Sequence, residues 1–429
     1  MDFPIYLYIA IFLLVALLST RIMKLLKLPN VTGFIVTGII MGPFVFGLFF
    51  NNFSYDGIKE SLIYQYVDKI SWVSTIALGF IAFSIGTSFK TSTLKRVGKR
   101  AIIITIFEAF GASLLVIIAL IIAHFISPEH ISWQIVLTLS AIASATAPAA
   151  TLMVIKQYNA KGALVDTLLP VVALDDAAAL ILFAILFQLA KGLSVGEYSA
   201  YNMLVKPLLE ILISLGLGAV LGIVIALLNK LFKSRNNRLI LCIFSVFAAV
   251  GLYFLFKNSW MGGFELSSLL ICMMAGAIYV NFTKENEKTY DVLDKFTSPL
   301  YMVFFVLSGA SLDLSIFTSE LGLLVVIVTA IYIVFRVIGK WAGAFTGASI
   351  THSEEKVKKY LGFALVPQAG VAIGLSTTAC KLFNETPGME ETGNLILAII
   401  LTSTLVYELI GPFASKFALT KAGEIKESN

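Results

Sequence analysis

Long apolar stretches recur along almost the whole chain, and they restrict its fold more than any other feature. A helix of about 20 apolar residues crosses the ~30 Å hydrocarbon core of a bilayer. Hydrophobic residues make up 58% of the 429 positions and charged residues only 13%, and the mean hydropathy is +0.92. Because a membrane span must satisfy its own backbone hydrogen bonds, we predict an all-α polytopic membrane protein with about 13 transmembrane helices. The apolar windows lie near residues 3–22, 31–50, 70–88, 101–123, 132–155, 164–189, 207–230, 239–256, 262–281, 297–317, 321–350, 360–381 and 393–415.

Lys and Arg residues are distributed unequally between the two sides of the predicted membrane. Of the 31 in the chain, 23 fall in gaps on one side, six fall on the other side, and two lie within the eleventh span. Cytoplasmic loops of membrane proteins carry the excess of Lys and Arg. We therefore predict a multi-pass protein of a bacterial or archaeal cytoplasmic membrane, with its N-terminus outside and its C-terminus cytoplasmic. The same loops account for the net charge of +5, so nucleic acid is not indicated as a partner.

Two short segments resemble each other although seven spans separate them. The third span contains FSIGTSFKTS (83–92), and the tenth contains VLSGASLDLS (306–315), with Asp313 where the earlier copy has Lys90. An odd offset in span number, here seven, places two copies in opposite orientations. Inverted-topology repeats of this kind are typical of secondary transporters.

The same offset pairs the fifth span with the twelfth, and these two are the least suited to an unbroken helix. They contain SAIASATAPAATLMV (140–154) and LVPQAGVAIGLSTTA (365–379). Pro148 and Pro367 cannot donate a backbone hydrogen bond, and glycines loosen the second segment further. We therefore predict two crossed discontinuous helices, whose ends meet near the middle of the membrane and form a binding site there.

Two adjacent carboxylates, Asp175 and Asp176, lie in the apolar run VVALDDAAALILFAI of the sixth span. Each charge left at the bilayer centre costs at least ~2.5 kcal/mol. Neighbouring side chains on a helix point ~100° apart, so one partner cannot neutralise both. At least one must be protonated, hydrated or bound to a cation, with the Thr146 hydroxyl of the interrupted fifth span as a further oxygen ligand. Asp166, near the start of the same span, is a candidate for the funnel through which ions reach the site.

Three further charges lie inside predicted spans. Arg336 and Lys340 are four residues apart and therefore share a face of the eleventh span. Glu108 lies midway along the fourth span. The simplest pairing joins Glu108 to Arg336 and leaves Lys340 to face Asp175, for charge compensation or proton coupling. The alternative is that these bridges only hold helices together.

Six segments in the same order resemble the monovalent cation:proton antiporter superfamily, and specifically its two-aspartate branch. They are LPNVTGFIVTGIIMGP, SATAPAA, LDDAAAL, SPLYMVFFVLSGASLDLS, FRVIGKWAGA and ALVPQAGVAIGLS. The resemblance implies a homodimer in membrane lipid, in which each protomer has a dimerisation scaffold and a mobile core bundle. It also implies that Asp176 binds the cation or the proton, and that its neighbour Asp175 pairs with Lys340. Thr146 lies in the motif of the interrupted helix.

The resemblance further implies a division of the chain into segments. The scaffold would comprise residues 1–97 (spans 1–3) and 237–318 (spans 8–10), and the core bundle residues 98–192 (spans 4–6) and 319–416 (spans 11–13). Residues 193–236 would form a linker span and residues 417–429 a short cytoplasmic tail.

The sequence also departs from the pattern of electroneutral relatives. These have Asn before the essential Asp and Glu five residues upstream of it, where this chain has Asp175 and Val171. We therefore predict electrogenic exchange of Na⁺ or Li⁺ for H⁺ by alternating access, with Na⁺ bound at Asp176 and Asp175. A K⁺/H⁺ antiporter of the same fold is the main alternative.

Other classes of protein fit the sequence less well. An ion channel favours rings or filters along a pore, and an intramembrane aspartyl protease needs its two aspartates on separate helices. The chain contains no motif for catalysis or phosphate binding. We therefore predict no enzymatic activity, no cofactor and no use of ATP.

Overall fold

The computed structural model describes residues 4–26, 28–50, 61–87, 89, 91–195, 201, 205–232, 234–257, 266–283, 287–311, 322–384, 386 and 389–425. The regular secondary structure within these residues is helical throughout, which confirms the predicted fold class. The α-helices are α1 (Ile5–Leu25), α2 (Asn30–Met41), α3 (Leu62–Ile70), α4 (Trp72–Thr87), α5 (Thr91–Ile126), α6 (Trp133–Ile142), α7 (Pro148–Gln157), α8 (Ala163–Val195), α9 (Lys206–Asn229), α10 (Arg235–Lys257), α11 (Ser268–Phe282), α12 (Glu287–Ala310), α13 (Gly322–Ile350), α14 (Glu355–Ala364), α15 (Gly370–Asn384) and α16 (Glu390–Lys421). A short 3₁₀-helix covers Phe46–Phe50.

Many of these helices are built to cross a membrane. Within the described residues, nine helical segments are long and apolar enough to span a bilayer, and α6 and α11 are shorter apolar helices. The chain is therefore an integral multi-pass membrane protein. The number of 13 spans stays a prediction. Lys90 and Asp313, which differ between the two resembling segments, lie outside the described residues.

The chain folds into two compact units. The first comprises residues 1–96 and 208–312, and the second comprises residues 97–207 and 313–429. The roles predicted for individual segments as scaffold, linker and mobile bundle stay a prediction.

Glycines set the helix packing within the first unit. A Cβ atom at Gly86 would collide with the backbone carbonyl of Met273 on α11, and one at Gly309 would collide with that of Ile35 on α2. These two glycines occupy the same position in the two resembling segments, FSIG and VLSG. Small residues let helix backbones approach closely in a membrane, where packing drives association. The shared motif therefore has a physical role, because it brings α4 against α11 and α12 against α2.

In the second unit two helices are interrupted near their middles. Helix α6 ends at Ile142 and α7 begins at Pro148, while α14 ends at Ala364 and α15 begins at Gly370. The backbone N–H of Ala147 donates to the carbonyl of Pro367 at 2.8 Å, so the two interruptions contact each other. Pro148 is the first residue of α7, where a missing N–H costs nothing. Both predicted interruptions are present, whereas the crossing of the two segments stays a prediction.

Candidate functional site

Five ionisable side chains are buried together in the second unit. Glu108 on α5, Asp175 on α8, and Arg336 and Lys340 on α13 are each 0% exposed, and Asp176 is 7% exposed. Burying a charge is costly unless the protein supplies partners for it. The partners of each group therefore define what the site can do.

Close packing of α5 against α13 brings Glu108 to Lys340. A Cβ atom at Gly339 would lie 2.5 Å from the carbonyl oxygen of Gly111, and one at Gly343 would lie 2.6 Å from the Cα of Glu108. Only bare backbone fits at these contacts, so the two helices lie closer than side chains would allow. The run GKWAG in the eleventh predicted span thus explains how a carboxylate of one helix reaches an ammonium of the other.

Lys340 is surrounded by four oxygen atoms. Its Nζ donates to the carbonyl of Ser144 at 2.5 Å, to the hydroxyl of Thr146 at 2.6 Å and to Asp175 Oδ2 at 2.9 Å. Glu108 Oε2 lies 2.7 Å from the same Nζ as an ion pair. The predicted contact between Lys340 and Asp175 is therefore confirmed. An ammonium has only three N–H donors, so the four oxygens compete for it.

Arg336 is held by backbone carbonyls at the ends of the two interrupted helices. Its Nε donates to Ala143 O at 2.9 Å, its Nη2 to Ala145 O at 2.6 Å and its Nη1 to Val366 O at 2.7 Å. Helix C-terminal ends leave carbonyls unpaired and carry partial negative charge. The predicted bridge from Glu108 to Arg336 is wrong, because these carbonyls satisfy the guanidinium and Glu108 pairs with Lys340 instead.

Asp176, Asp175 and Glu108 each keep at least one buried carboxylate oxygen without a hydrogen-bond partner in the described part of the chain. In both aspartates this atom is Oδ1. Asp176 is also the only one of the five side chains in this cluster with any measurable exposure. Carboxylate oxygens suit a proton or a hard cation equally. The site can therefore accept either ion at these two atoms, and Lys340 holds the remaining Asp175 oxygen.

The two threonines of the first interruption have different roles. Thr146 accepts a hydrogen bond from Lys340, and its hydroxyl lies 3.5 Å from Leu365 O. Thr151 donates to Ala364 O at 3.0 Å and lies 3.2 Å from the hydroxyl of Ser415. Thr146 therefore belongs to the charged cluster, whereas Thr151 ties α7 to α14 and α16.

Asp166 is not brought into the cluster. It lies in the first turn of α8 and is partly exposed. At ~1.5 Å per residue it is about 15 Å along the helix from Asp176. Its predicted role in an ion funnel stays a prediction.

Gln368 and two tyrosines support the site, although the sequence did not single them out. Gln368 Nε2 donates to Ile142 O at 2.9 Å, and the Gln368 amide exchanges hydrogen bonds with the Tyr332 hydroxyl. The Tyr407 ring lies 4.5 Å from the Arg336 guanidinium carbon. Gln368 is a polar residue directly after Pro367 in an apolar span, which is a detectable signal. The tyrosines gave no such signal, because aromatic residues are frequent throughout the chain.

Interrupted helices that meet at a buried cluster of charges are typical of secondary transporters. The sequence matches the family described as sodium/hydrogen exchanger, transmembrane, over residues 9–415. The chain therefore belongs to this family of transporters, and the family supports cation/proton antiport. This confirms the resemblance stated above, while the two-aspartate branch stays a prediction.

Solved structures of one antiporter share the fold. The chain is similar to the structure at pH 8 of the sodium proton antiporter MjNhaP1 from Methanocaldococcus jannaschii, with a TM-score of 0.67, 18% identity, and coverage of 98% of this chain and 99% of that chain. It is also similar to an electron-microscopy map of the same antiporter, with a TM-score of 0.71, 17% identity and coverage of 98% of each chain. No match is found among curated protein sequences.

Proposed function

We propose that this protein exchanges Na⁺ or Li⁺ for H⁺ by alternating access, and that Asp176 carries either ion. The observation that carries the proposal is the Asp176 side chain. It is buried in a cluster of charges, it retains some exposure, and its Oδ1 has no hydrogen-bond partner within the described residues. Membership of the sodium/hydrogen exchanger family supports Na⁺ as the exchanged cation.

Competition for Asp176 couples the two ions. A buried carboxylate must be neutralised, and a proton and a metal ion cannot occupy the same oxygen. Each ion therefore displaces the other. The free Oδ1 atoms of Asp175 and Asp176 supply the first ligands for the cation. Movement of the Lys340 ammonium would release Asp175 Oδ2 and the Thr146 hydroxyl as further ligands.

The shared partner of Lys340 supports electrogenic exchange. Glu108 and Asp175 both contact the ammonium, so Glu108 keeps it neutralised when Asp175 takes up a proton. Both aspartates can then exchange their protons for one Na⁺. One net charge would cross per cycle, which is worth ~2.3 kcal/mol per 100 mV of membrane potential.

The arrangement of the whole protein is also proposed. The second unit, which contains every residue of the charged cluster, would be the moving core bundle, and the first unit would form the scaffold of a homodimer. Large exposed apolar side chains such as Leu25 (84%) and Leu323 (73%) support contact with lipid. The N-terminus would lie outside and the C-terminus in the cytoplasm.

Transport by purified protein in proteoliposomes tests the proposal. With an imposed Na⁺ gradient we expect proton movement that depends on Na⁺ and on membrane potential. Asp175→Asn removes the second exchangeable proton, so we expect severe loss of exchange or exchange that no longer responds to voltage. Unchanged, voltage-sensitive exchange by Asp175→Asn would contradict its role.

The same assay separates the alternatives. Proton movement driven by K⁺ and not by Na⁺ would support the K⁺/H⁺ antiporter. Current that is not coupled to protons would support a channel. Absence of both ion movements would refute exchange and make peptide cleavage by the aspartates the next activity to test.

A further inference from the structure

The chain turns back at the end of α16 and places Glu424 against the beginning of α8. The helix ends at Lys421, and Gly423 follows with a φ of +72°, a left-handed conformation that glycine adopts without strain. The N–H of Glu424 then bonds to the carbonyl of Leu419 at 2.9 Å. This turn closes the helix and directs the Glu424 side chain inward, where it is 2% exposed.

The Glu424 carboxylate caps α8. It accepts the backbone N–H of Leu164 at 2.7 Å through Oε1 and that of Val165 at 2.9 Å through Oε2. The first N–H groups of a helix have no partner within the helix, and a carboxylate there is also favoured by the helix dipole. The residue that normally supplies such a cap immediately precedes the helix, but here it is Gly162, which has no side chain. A residue 260 positions away fills the role.

Gly162 is shaped to receive this carboxylate. A Cβ atom at Gly162 would overlap the Glu424 carboxyl carbon and lie 2.6 Å from its Cγ. Its φ of +156° is also a conformation that other residues rarely adopt. The neighbouring N–H of Lys161 bonds to the Glu424 carbonyl at 3.3 Å. Backbone and side chain of Glu424 are therefore both engaged by the segment that begins α8.

A proline makes the first turns of α8 depend on this cap. Pro170 lies inside the helix and cannot donate to the carbonyl of Asp166. The turns before Pro170 are therefore tied less firmly to the rest of the helix than in an uninterrupted one. Asp175 and Asp176 follow five and six residues after Pro170.

Glu424 also contacts the half-helix that leads to the second interruption. Lys356 in the first turn of α14 places its Nζ 3.7 Å from Glu424 Oε1. The other end of α14 leads to Leu365 and Val366, whose carbonyls lie at the charged cluster. One carboxylate therefore joins the beginnings of two helices that both lead to the ion site.

We propose that Glu424 is a positioning residue for ion exchange, which holds the first turns of α8 so that Asp175 and Asp176 face Lys340 and Thr146. The proposal rests on the proposed function. Glu424 touches neither the ion nor the charged cluster in this arrangement. Its loss should therefore lower the apparent affinity for Na⁺ more than the maximal rate.

Two substitutions on opposite sides of the contact test the proposal in proteoliposomes. Glu424→Ala removes the capping carboxylate, and Gly162→Ala introduces a Cβ atom that displaces this carboxylate from the beginning of α8. From the usual effect of losing a helix cap, we expect each to raise the KM for Na⁺ about threefold to tenfold with little change in the maximal rate. The double substitution should have no larger effect than either single one, because both break the same contact.

Controls and an independent readout make the test specific. Glu355→Ala removes an exposed carboxylate of α14 that pairs with Lys358 and Lys359 on its own helix, and it should leave the KM unchanged. Hydrogen exchange should become faster at the Leu164 and Val165 amides of Glu424→Ala and remain slow in α13. If Glu424→Ala does not fold, Glu424→Gln keeps one acceptor oxygen and should show a smaller shift in the same direction.

The outcomes distinguish this proposal from the proposed function. A wild-type KM in both variants would overturn the positioning role, whether or not the two amides exchange faster. Absence of Na⁺-dependent proton movement in the wild-type protein would instead refute the proposed exchange. Raised KM values in both variants, with local amide exchange and an unaffected Glu355→Ala control, would establish the positioning role.

Discussion

Arg336 and Lys340 lie one turn apart on α13 and are equally buried, yet they have different kinds of partner. Backbone carbonyls of the two interruptions bind Arg336. Two carboxylates, a hydroxyl and one carbonyl bind Lys340. A backbone carbonyl oxygen does not titrate, so its partial negative charge is the same at every stage of a transport cycle. A carboxylate, in contrast, can gain a proton or bind a cation.

The difference separates the part of the site that must stay fixed from the part that can change. Arg336 bonds to carbonyls at the ends of both α6 and α14, so we expect its contribution to be to stability. Under the proposed function Lys340 shares Asp175 with the incoming ion, so we expect its contribution to be to exchange. Substitutions on the two sides should therefore affect different measurements.

The largest effect is expected at the carboxylate side, with Asp176→Asn. An amide neither binds a proton reversibly near neutral pH nor neutralises a cation. Na⁺-dependent proton movement in proteoliposomes should therefore fall to the background of empty vesicles. The apparent melting temperature in detergent should not decrease, because a buried charge has been removed. Glu355→Gln serves as the control, because this exposed carboxylate of α14 lies outside the charged cluster, and it should retain coupled exchange. Residual coupled exchange by Asp176→Asn would assign the ion to another group.

A loss of stability is expected at the carbonyl side, with Arg336→Met. The substitution leaves the carbonyls of Ala143, Ala145 and Val366 without the guanidinium, and each unsatisfied buried group costs about 1–3 kcal/mol. We expect a marked decrease in the apparent melting temperature and in the yield of folded protein. Arg336→Lys keeps the charge but not the planar set of donors, so its decrease should be smaller. A stable Arg336→Met protein with altered ion coupling would contradict the assignment of Arg336 to stability and of Lys340 to exchange.

The smallest effect is expected for Glu108→Gln. Among the contacts described above, Asp175 is then the only carboxylate partner of Lys340. The ammonium therefore competes more strongly with the cation for Asp175. We expect the KM for Na⁺ to rise about threefold to tenfold, which corresponds to about one hydrogen bond. Glu408→Gln is the matched control, because Glu408 is also buried in this unit and its Oε2 has no hydrogen-bond partner within the described residues. An unchanged KM in Glu108→Gln would show that Glu108 does not share Lys340 during exchange.

Much of the site could be predicted because its charged residues lie in sequence segments that are otherwise apolar. Asp175, Asp176 and Lys340 are charges inside apolar runs, and such charges need each other as partners. Proline and glycine indicated the two interruptions, because they destabilise a helix within an apolar span that is otherwise long enough to be continuous. The pairing of Lys340 with Asp175 followed from these constraints and is present.

What could not be predicted depends on backbone groups and on distant residues. The pairing of Glu108 with Arg336 rested on opposite charge alone, and it overlooked the free carbonyls that the interruptions create. The Glu424 cap joins positions 260 residues apart, and a single acidic residue near the end of a chain gives no signal of such a contact. Hydrogen bonds to the main chain leave no pattern of residue types in a sequence.

The glycine contacts between α5 and α13 also limit how the ion site can move. With main chain against main chain at Gly111, Gly339 and Gly343, neither helix can slide past the other by even one residue without a collision. We therefore expect these two helices to move together in any change of conformation. Lys340 and Glu108 can then separate only by rotation about their own side-chain bonds, whereas Asp175 lies on α8, which these glycine contacts do not hold.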